Sequence, residues 1–210
     1  MQRILLFGAT GASGQQILTQ ALASGFAVTA FVRNPAKVQT ANANLTVVRG
    51  DVRDADAVRA AVAGHDAVLC ALGAPARDRS GLRATGTVNI VRAMRAHGVR
   101  RLVVQSSHGI GDSAVGLPWW MRWLLVPLYL ANAFADHEAQ EAAVRSSELD
   151  WTLVRPPHLT DGPLSGEVGH GYPMELPLPS TKISRADVAQ FMLEQLDAPG
   201  YIRRTVAIAA

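Results

Sequence analysis

The sequence predicts an α/β fold: a single doubly wound parallel sheet with helices on both faces. Short apolar runs alternate with helical patterns along the whole chain, which is the order that repeated β-α-β units require. The runs are apolar throughout rather than at every second residue, as in strands that are covered on both faces. Right-handed crossovers between such strands bring them into one open sheet.

The individual elements follow from these two patterns. Seven strands are predicted, each a short and mainly apolar run: 4–7, 27–32, 45–49, 66–71, 101–107, 151–155 and 205–209. Five helices are predicted from apolar residues at helical spacing: 14–24, 55–62, 83–97, 136–147 and 185–196. Asp54 and Ser184 suit the N-cap positions of two of these helices, and Gly25 and Gly98 end two others.

Length and composition indicate one domain. The chain has 210 residues, of which 49% are hydrophobic, so we expect one core over residues 1–210, with a variable apolar segment at 108–135. The only cysteine, Cys70, lies in a predicted strand, where a buried structural thiol is expected. The lone cysteine and the lack of a signal-peptide pattern favour a cytoplasmic location.

The charge pattern does not indicate a nucleic-acid partner. The net charge is +3, and 18 of the 20 basic residues are arginines scattered along the chain. The sequence has no stripe of basic residues interleaved with aromatic ones, so we do not expect nucleic-acid binding. Its His, Asp, Glu and Cys residues lack metal-ligand spacing, so no metal is expected.

A glycine-rich turn follows the first strand, in the stretch FGATGASG. Its three glycines are spaced GxxGxxG and open the first helix, which is the context of a dinucleotide-binding turn. Backbone N–H groups at such a helix start can bind a pyrophosphate, and side chains would block its approach. The alternative is a tight corner between strand and helix. The predicted cofactor contacts of this turn are Gly8, Thr10, Gly11, Ala12, Ser13 and Gly14.

The end of the second strand indicates which dinucleotide is bound. NAD-specific sites usually carry Asp or Glu there, to bind the ribose 2′-hydroxyl. This chain has Arg33 and Asn34, followed by Lys37. A guanidinium suits a 2′-phosphate through paired, charge-assisted hydrogen bonds, so NADP(H) is the predicted cofactor. The alternative is that Arg33 is a solvated residue at a strand end.

Two more stretches lie at the carboxyl ends of predicted strands, where ligands bind in sheets of this kind. Asp51 and Val52 follow the third strand, and Asp51 could accept a hydrogen bond from the adenine amino group. Leu72 and Gly73 follow the fourth strand, where Gly73 allows a cofactor to approach the backbone closely. All four residues are predicted to contact the cofactor.

Several stretches together resemble the atypical short-chain dehydrogenase/reductase superfamily, among them FGATGASG, RPPHLTDGPLSG and ISRADVAQFML. The likeness is greatest to the biliverdin-IXβ reductase and flavin reductase group, with NmrA-like proteins as more distant kin. The resemblance implies a Rossmann fold and hydride transfer from NADPH to a planar substrate such as a flavin, tetrapyrrole or quinone. In that group a Ser after strand five and a His after strand six line the nicotinamide pocket, and these positions match Ser107 and His158.

The catalytic candidates are polar residues at these strand ends. The sequence lacks the Tyr-x-x-x-Lys pair of many short-chain dehydrogenases, so the protein is expected mainly to orient cofactor and substrate. Ser107 is predicted to bond the nicotinamide or the substrate, and its neighbour Ser106, which would face the opposite way, competes for the pocket. Pro156 begins a rigid run before His158, which is either a hydrogen-bond partner and proton donor or an exposed, structural histidine. His137, which the resemblance also matches, is a weaker candidate.

The segment 117–134 departs from the resembling group, because it is apolar and holds three of the four tryptophans. Three interpretations stay open: a helix packed on the sheet edge, a lid over the substrate, or an exposed patch for a dimer or a membrane surface. Arg122 and Pro127 interrupt the apolar run, so a membrane span is not expected.

These observations predict an NADPH-dependent oxidoreductase that acts on a small-molecule substrate. We expect a monomer, with a dimer through 117–134 as a further option. A non-catalytic NADP-binding sensor of the NmrA-like type is the alternative function. The missing Tyr-Lys pair disfavours a third function, an isomerase or epimerase that uses its cofactor transiently.

Overall fold

The computed structural model describes residues 2–116, 119–172 and 182–209, and its strands form one large and one small sheet. The strands are β1 (Arg3–Phe7), β2 (Ala27–Val32), β3 (Leu45–Arg49), β4 (Ala67–Cys70), β5 (Arg101–Gln105), β6 (Asp150–Arg155), β7 (His158–Thr160), β8 (Gly169–Gly171), β9 (Lys182–Ser184) and β10 (Arg204–Ala209). The α-helices are α1 (Ala12–Ala23), α2 (Ala55–Val62), α3 (Leu82–His97), α4 (Ala131–Arg145) and α5 (Arg185–Glu194).

The large sheet has the strand order β3-β2-β1-β4-β5-β6-β10-β8, and β7 pairs with β9 in the small one. Neighbouring strands of the large sheet run parallel, except β8, which is antiparallel to β10. The predicted α/β class with a doubly wound, mostly parallel sheet is therefore confirmed, and β8 is an antiparallel addition at one edge.

Buried residues of β1, β2, β4, β5 and β6 enter two cores, one on each face of the large sheet. In β1, Ile4 and Leu6 pack with α1 and α5, whereas Leu5 and Phe7 pack with α2, α3 and α4. Because alternate residues enter opposite cores, the strand is apolar at every position. Cys70 lies in the second core, and burial raises the pKa of its thiol to about 11, as expected for a structural cysteine.

The predicted elements are present with small shifts at their ends. β5 ends at Gln105, so the two serines that follow lie beyond the strand. α4 begins at Ala131, before the predicted start at 136, because its first turn is rich in alanine, which has the highest helix propensity. The three-residue strands β7, β8 and β9 were not predicted, since runs this short carry no measurable periodicity.

The apolar segment is helical where the structure describes it. Residues 117 and 118 of the predicted segment lie outside the described residues, and the chain then continues through a π-helix, Met121–Leu130, into α4. Trp119 and Trp123 are each 71% exposed, so these two side chains face solvent. Whether the segment acts as lid, interface or packed helix stays a prediction. Within the described residues, no helix is both long and apolar enough to cross a membrane.

A buried ion pair connects the end of β6 to α4. Arg155 is fully buried, with Nε 2.9 Å from Glu141 Oε1 and Nη2 2.7 Å from Glu141 Oε2. Arg155 also pairs with Asp112, while Glu141 accepts hydrogen bonds from Arg145 at 2.9 Å and from the Ser106 hydroxyl at 2.7 Å. Although burial opposes its charge, hydrogen bonds with Glu141 raise the pKa of Arg155. The network therefore joins β6, α4 and the segment after β5.

Replacing Glu141 by alanine is expected to lower the free energy of unfolding by about 3–5 kcal/mol, because Arg155 would keep a buried charge without its main partner. Urea denaturation followed by circular dichroism measures this loss. Arg100→Ala is the matched control, since it removes an ion pair with Asp150 in which the arginine side chain is 61% exposed. That control should hardly move the unfolding midpoint. Equal losses in the two variants would contradict the role given to burial.

Candidate functional site

Two adjacent cavities lie at the carboxyl ends of the strands near β1, where the strand order reverses direction between β1 and β4. The first has a volume of about 390 Å³ and the second a volume of about 340 Å³. Leu72, Gly73 and Ala74, which follow β4, line both cavities. The two cavities therefore adjoin and form one groove along this edge of the sheet.

The first cavity is formed by the ends of β1, β2 and β3, the glycine turn and the start of α3. Its lining residues are Phe7, Gly8, Thr10, Gly11, Phe31, Val32, Arg33, Gly50, Val52, Leu72, Gly73, Ala74, Pro75 and Leu82. This set includes seven of the predicted cofactor contacts: Gly8, Thr10, Gly11, Arg33, Val52, Leu72 and Gly73. Four others line neither cavity: Ala12, Gly14, Asn34 and Asp51.

The three glycines of the turn differ in the space that a side chain would have at each position. Gly8 has a φ of +87°, and a Cβ there would lie 2.2 Å from the Ala71 carbonyl oxygen. A Cβ on Gly14 would lie 2.0 Å from the Gly8 carbonyl oxygen. Gly11 has an ordinary φ of −79°, and its nearest contact would be 3.4 Å away. A tight corner thus explains Gly8 and Gly14, but it leaves Gly11 unexplained.

The position of Gly11 indicates a ligand. Gly11 is the N-cap of α1, and it supplies no side-chain hydrogen bond to the free N–H groups of the first turn. Gly73, which also lines the first cavity, is similar, because a Cβ there would meet no atom within 4 Å. Neither glycine is required by packing, so both keep the groove open next to the positive end of a helix dipole. This arrangement fits the pyrophosphate of a dinucleotide.

Charge in the first cavity is positive. Arg33 is exposed and lines it, and its described lining residues include no acidic side chain. Asn34 caps the short 3₁₀ turn Pro35–Lys37 by accepting a hydrogen bond from the Ala36 N–H at 3.1 Å. Arg53 Nη2 donates a hydrogen bond to Asp51 Oδ2 at 2.6 Å. The hydrogen bonds from Arg53 lower the pKa of Asp51 to about 2. Arg33 is therefore available to an anionic ligand, whereas the Asp51 carboxylate already has a cationic partner.

The second cavity lies between the ends of β4, β5 and β6 and the helices α3, α4 and α5. Its lining residues are Ser13, Ala71, Leu72, Gly73, Ala74, Arg83, Gln105, Ser106, Ser107, His137, Pro156, Pro157, Leu159 and Arg185. The predicted contacts Ser13, Ser106, Ser107 and Pro156 are among them. The structure thus brings both serines to the groove.

The two serines differ in exposure and partners. Ser106 is buried, and its hydroxyl donates to Glu141. Ser107 is half-buried, and its hydroxyl donates to the His108 carbonyl oxygen at 3.1 Å. The Ser107 oxygen keeps lone pairs that a ligand in the cavity could use, whereas Ser106 belongs to the buried ion-pair network.

The two candidate histidines differ in whether they line the groove. His158 is exposed on β7 and lines neither cavity, while the next residue, Leu159, lines the second one. Successive strand residues point to opposite sides, which explains this difference. His137, the weaker candidate, lines the second cavity. Burial and the nearby Arg83 guanidinium lower the pKa of His137 to about 4, so its imidazole is neutral near pH 7.

Arg83 is a site residue that the sequence reasoning missed. It is buried at the start of α3, where its Nη1 lies 3.2 Å from Asp136 Oδ2 and its Nη2 lies 3.1 Å from the Ala74 carbonyl oxygen. Asp136 also accepts hydrogen bonds from the backbone N–H groups of Arg83 at 3.1 Å and Ala84 at 2.9 Å. It thereby caps a helix whose own N-cap, Gly81, offers no side chain.

Gln105 and Arg185 were also missed. Gln105 is the last residue of β5, and its strand-end position was a signal that could have identified it. Arg185 opens α5 and pairs with the exposed Asp161 at 2.5 Å, and no sequence signal identified it. Across the described ranges, no group of three or more His, Cys, Asp or Glu side chains could hold a metal ion.

Comparison with known proteins identifies the family to which the chain belongs. The chain matches the NAD(P)H-binding family over residues 8–199. It is 35% identical over 176 residues to an uncharacterized chloroplastic protein of Arabidopsis thaliana, and the match covers 80% of this chain and 62% of that protein. The chain spans less than two thirds of the length of the first curated relatives it matches.

Solved structures share the fold. The chain is similar to the anaerobilin reductase ChuY of Escherichia coli O157:H7, with a TM-score of 0.80, 23% identity and coverage of 99% of this chain and 97% of that one. It is also similar to a short-chain dehydrogenase/reductase of Veillonella parvula in complex with NADP, with a TM-score of 0.81, 18% identity and coverage of 100% and 94%. These likenesses confirm the Rossmann-like fold. The family match extends over most of the chain, so the protein belongs to the NAD(P)H-binding family, and NAD(P)H is its cofactor.

Proposed function

We propose that this protein is an NADPH-dependent reductase that transfers hydride to a small conjugated substrate of the flavin, tetrapyrrole or quinone type. The observation that carries the proposal is the second cavity, which adjoins the first at Leu72, Gly73 and Ala74. A dinucleotide that starts in the first cavity would reach the second with its nicotinamide end. A substrate in the second cavity would then lie against the nicotinamide.

The cofactor roles follow from the walls of the groove. Arg33 would bind the 2′-phosphate, and the backbone around Gly11 would bind the pyrophosphate. Ser106 and Pro156 would contact the nicotinamide end. The remaining predicted contacts would form the glycine turn or lie near the adenosine half of the cofactor: Gly8, Thr10, Ala12, Ser13, Gly14, Asn34, Asp51, Val52, Leu72 and Gly73.

The chemistry suits a reductase with little acid-base machinery. NADPH supplies the hydride when it is bound. The chain supplies orientation and the field of two guanidinium groups that line the second cavity, Arg83 and Arg185, each of which is paired with a carboxylate, Asp136 and Asp161 respectively. Such a field favours the negative charge that hydride transfer adds to the substrate. His137, with its pKa lowered to about 4, is not a proton donor at neutral pH.

Turnover tests the proposal. Purified protein should oxidise NADPH in the presence of FMN, biliverdin or menadione, as followed by absorbance at the nicotinamide band. Tight NADP binding without turnover across this panel would contradict a reductase and support the alternative of a binding-only sensor. A cytoplasmic location and a monomeric state stay predictions.

Arg33→Ala is expected to weaken NADPH binding by about tenfold or more and to leave NADH binding unchanged, because only NADPH carries the 2′-phosphate. Fluorescence titration of the reduced cofactors gives both affinities. Arg49→Ala removes another exposed arginine, at the end of β3 and outside both cavities, and serves as the control. An equal effect of Arg33→Ala on the two cofactors would contradict the 2′-phosphate role.

Gly11→Ala is expected to reduce cofactor affinity by about tenfold while costing the fold no more than about 1 kcal/mol, because the fold has room for the methyl group and the ligand does not. Gly200→Ala is the control, since a Cβ there meets no atom within 4 Å and the residue lies outside the groove. Calorimetric titration with NADP⁺ and thermal unfolding separate the two effects. Unchanged affinity in Gly11→Ala would argue for a purely structural turn.

Ser107→Ala is expected to lower kcat/KM by about tenfold, because the hydroxyl oxygen lines the substrate cavity and can bond the substrate or the nicotinamide. His158 stays a catalytic candidate, and the variant His158→Ala tests whether it takes part in catalysis. Stopped-flow reduction of the best substrate measures both variants. Unaltered kcat and KM in either variant would exclude that residue from catalysis.

A further inference from the structure

A chain of hydrogen bonds orients the imidazole of His137. Its Nδ1 lies 3.2 Å from Gln140 Oε1, one turn along α4. Gln140 is fully buried, and its Nε2 lies 3.2 Å from Thr87 Oγ1 and 3.9 Å from Cys70 Sγ. With the amide nitrogen donating to the hydroxyl and the sulfur, the amide oxygen is directed at the histidine ring. It can only accept a hydrogen bond, so Nδ1 of His137 carries the ring proton.

The other ring nitrogen is left as a hydrogen-bond acceptor. Burial and the Arg83 guanidinium lower the pKa of the ring and hold it neutral, against the weaker opposing influence of the Gln140 hydrogen bond and of Asp136 and Glu141. A neutral ring with its proton on Nδ1 has a lone pair on Nε2. Among the described residues, no hydrogen bond to Nε2 is formed, and the ring lines the second cavity.

Two residues that line the same cavity carry further acceptor oxygens. Gln105 Oε1 is buried and has no hydrogen-bond partner. Ser107 uses its proton on the His108 carbonyl oxygen, so its own oxygen can accept. The terminal nitrogens of the nearby arginines are already engaged, because Arg83 binds Asp136 and Ala74 and Arg185 binds Asp161, while Arg83 Nε is buried and has no partner among the described residues. A ligand that brings hydrogen-bond donors would therefore complement this wall.

We propose that His137 accepts, through Nε2, a hydrogen bond from an N–H or O–H group of the substrate, and so selects substrates that carry such a donor. Ring imides, lactams and pyrroles have this group, whereas simple quinones have only acceptor oxygens. A quinone would leave Nε2 desolvated and unpaired, and a site built around an unpaired polar group rejects such a ligand. The inference rests on the proposed function and narrows its substrate class.

The first test concerns the free protein and needs no turnover. Long-range ¹⁵N–¹H correlation spectra at pH 7 distinguish the two neutral tautomers of His137, and His137→Phe identifies its signals. The expected result is a proton on Nδ1. A proton on Nε2 would overturn the proposal. Gln140→Met, which removes the oxygen that accepts from Nδ1, should shift the population toward the Nε2 tautomer.

The second test compares two probes that differ in one donor, lumiflavin and N3-methyl-lumiflavin. Quenching of their fluorescence by the NADP⁺-loaded protein gives the two dissociation constants. The wild type should prefer lumiflavin by about tenfold, and His137→Phe should remove the preference. Because the methyl group also adds bulk, only loss of the preference in the variant supports the hydrogen bond. The same preference in both proteins would overturn it.

Two controls keep this test separate from the proposed function. His97→Phe replaces an exposed histidine at the end of α3, outside the second cavity, and should retain the wild-type preference. His137→Phe should also lower the KM for menadione, because the variant no longer leaves an unpaired Nε2 against a ligand that has no donor. If no substrate were turned over, the proposed function would fail, while the tautomer and the probe affinities would still decide the role of His137. Lack of lumiflavin binding would itself count against the proposal.

Discussion

The buried pairing of Arg155 with Glu141 is the constraint on which the second cavity depends. An unpaired charge at this depth costs several kcal/mol, so the end of β6 and the middle of α4 are held in one arrangement. Ser106 joins the pair from the end of β5. His137 lies one turn before Glu141 on α4, so its ring is carried on the same helix face. The polar wall of the cavity is thus set by an interaction that lies behind it.

The groove combines two kinds of constraint, and its glycines separate them. Gly8 and Gly14 are required because backbone atoms of the protein approach them too closely for any side chain. Gly11 and Gly73 have space, so their lack of a side chain serves a molecule from outside. The same turn therefore satisfies the demands of folding and of binding with different residues.

The sheet was predictable from the sequence because burial on two faces leaves a continuous apolar run for each strand. The glycine turn and Arg33 were predictable because they directly follow strands, and strand ends meet at one edge. Arg83 was not predicted as a site residue, and His137 was predicted only as a weaker candidate, because both lie on helices. The sequence of a helix does not tell which of its polar residues faces the sheet edge. The outward direction of His158 depends on β7, which is too short to show a period.

The cap that Asp136 forms over the start of α3 couples two distant parts of the chain. The N–H groups of Arg83 and Ala84 are bound only while α4 is docked, because the partner carboxylate belongs to that helix. Local opening of α4 would release the first turn of α3, which lines the first cavity through Leu82 and the second through Arg83. These two helices therefore form one cooperative unit, whose amide exchange with solvent follows the opening of α4 rather than fraying of α3.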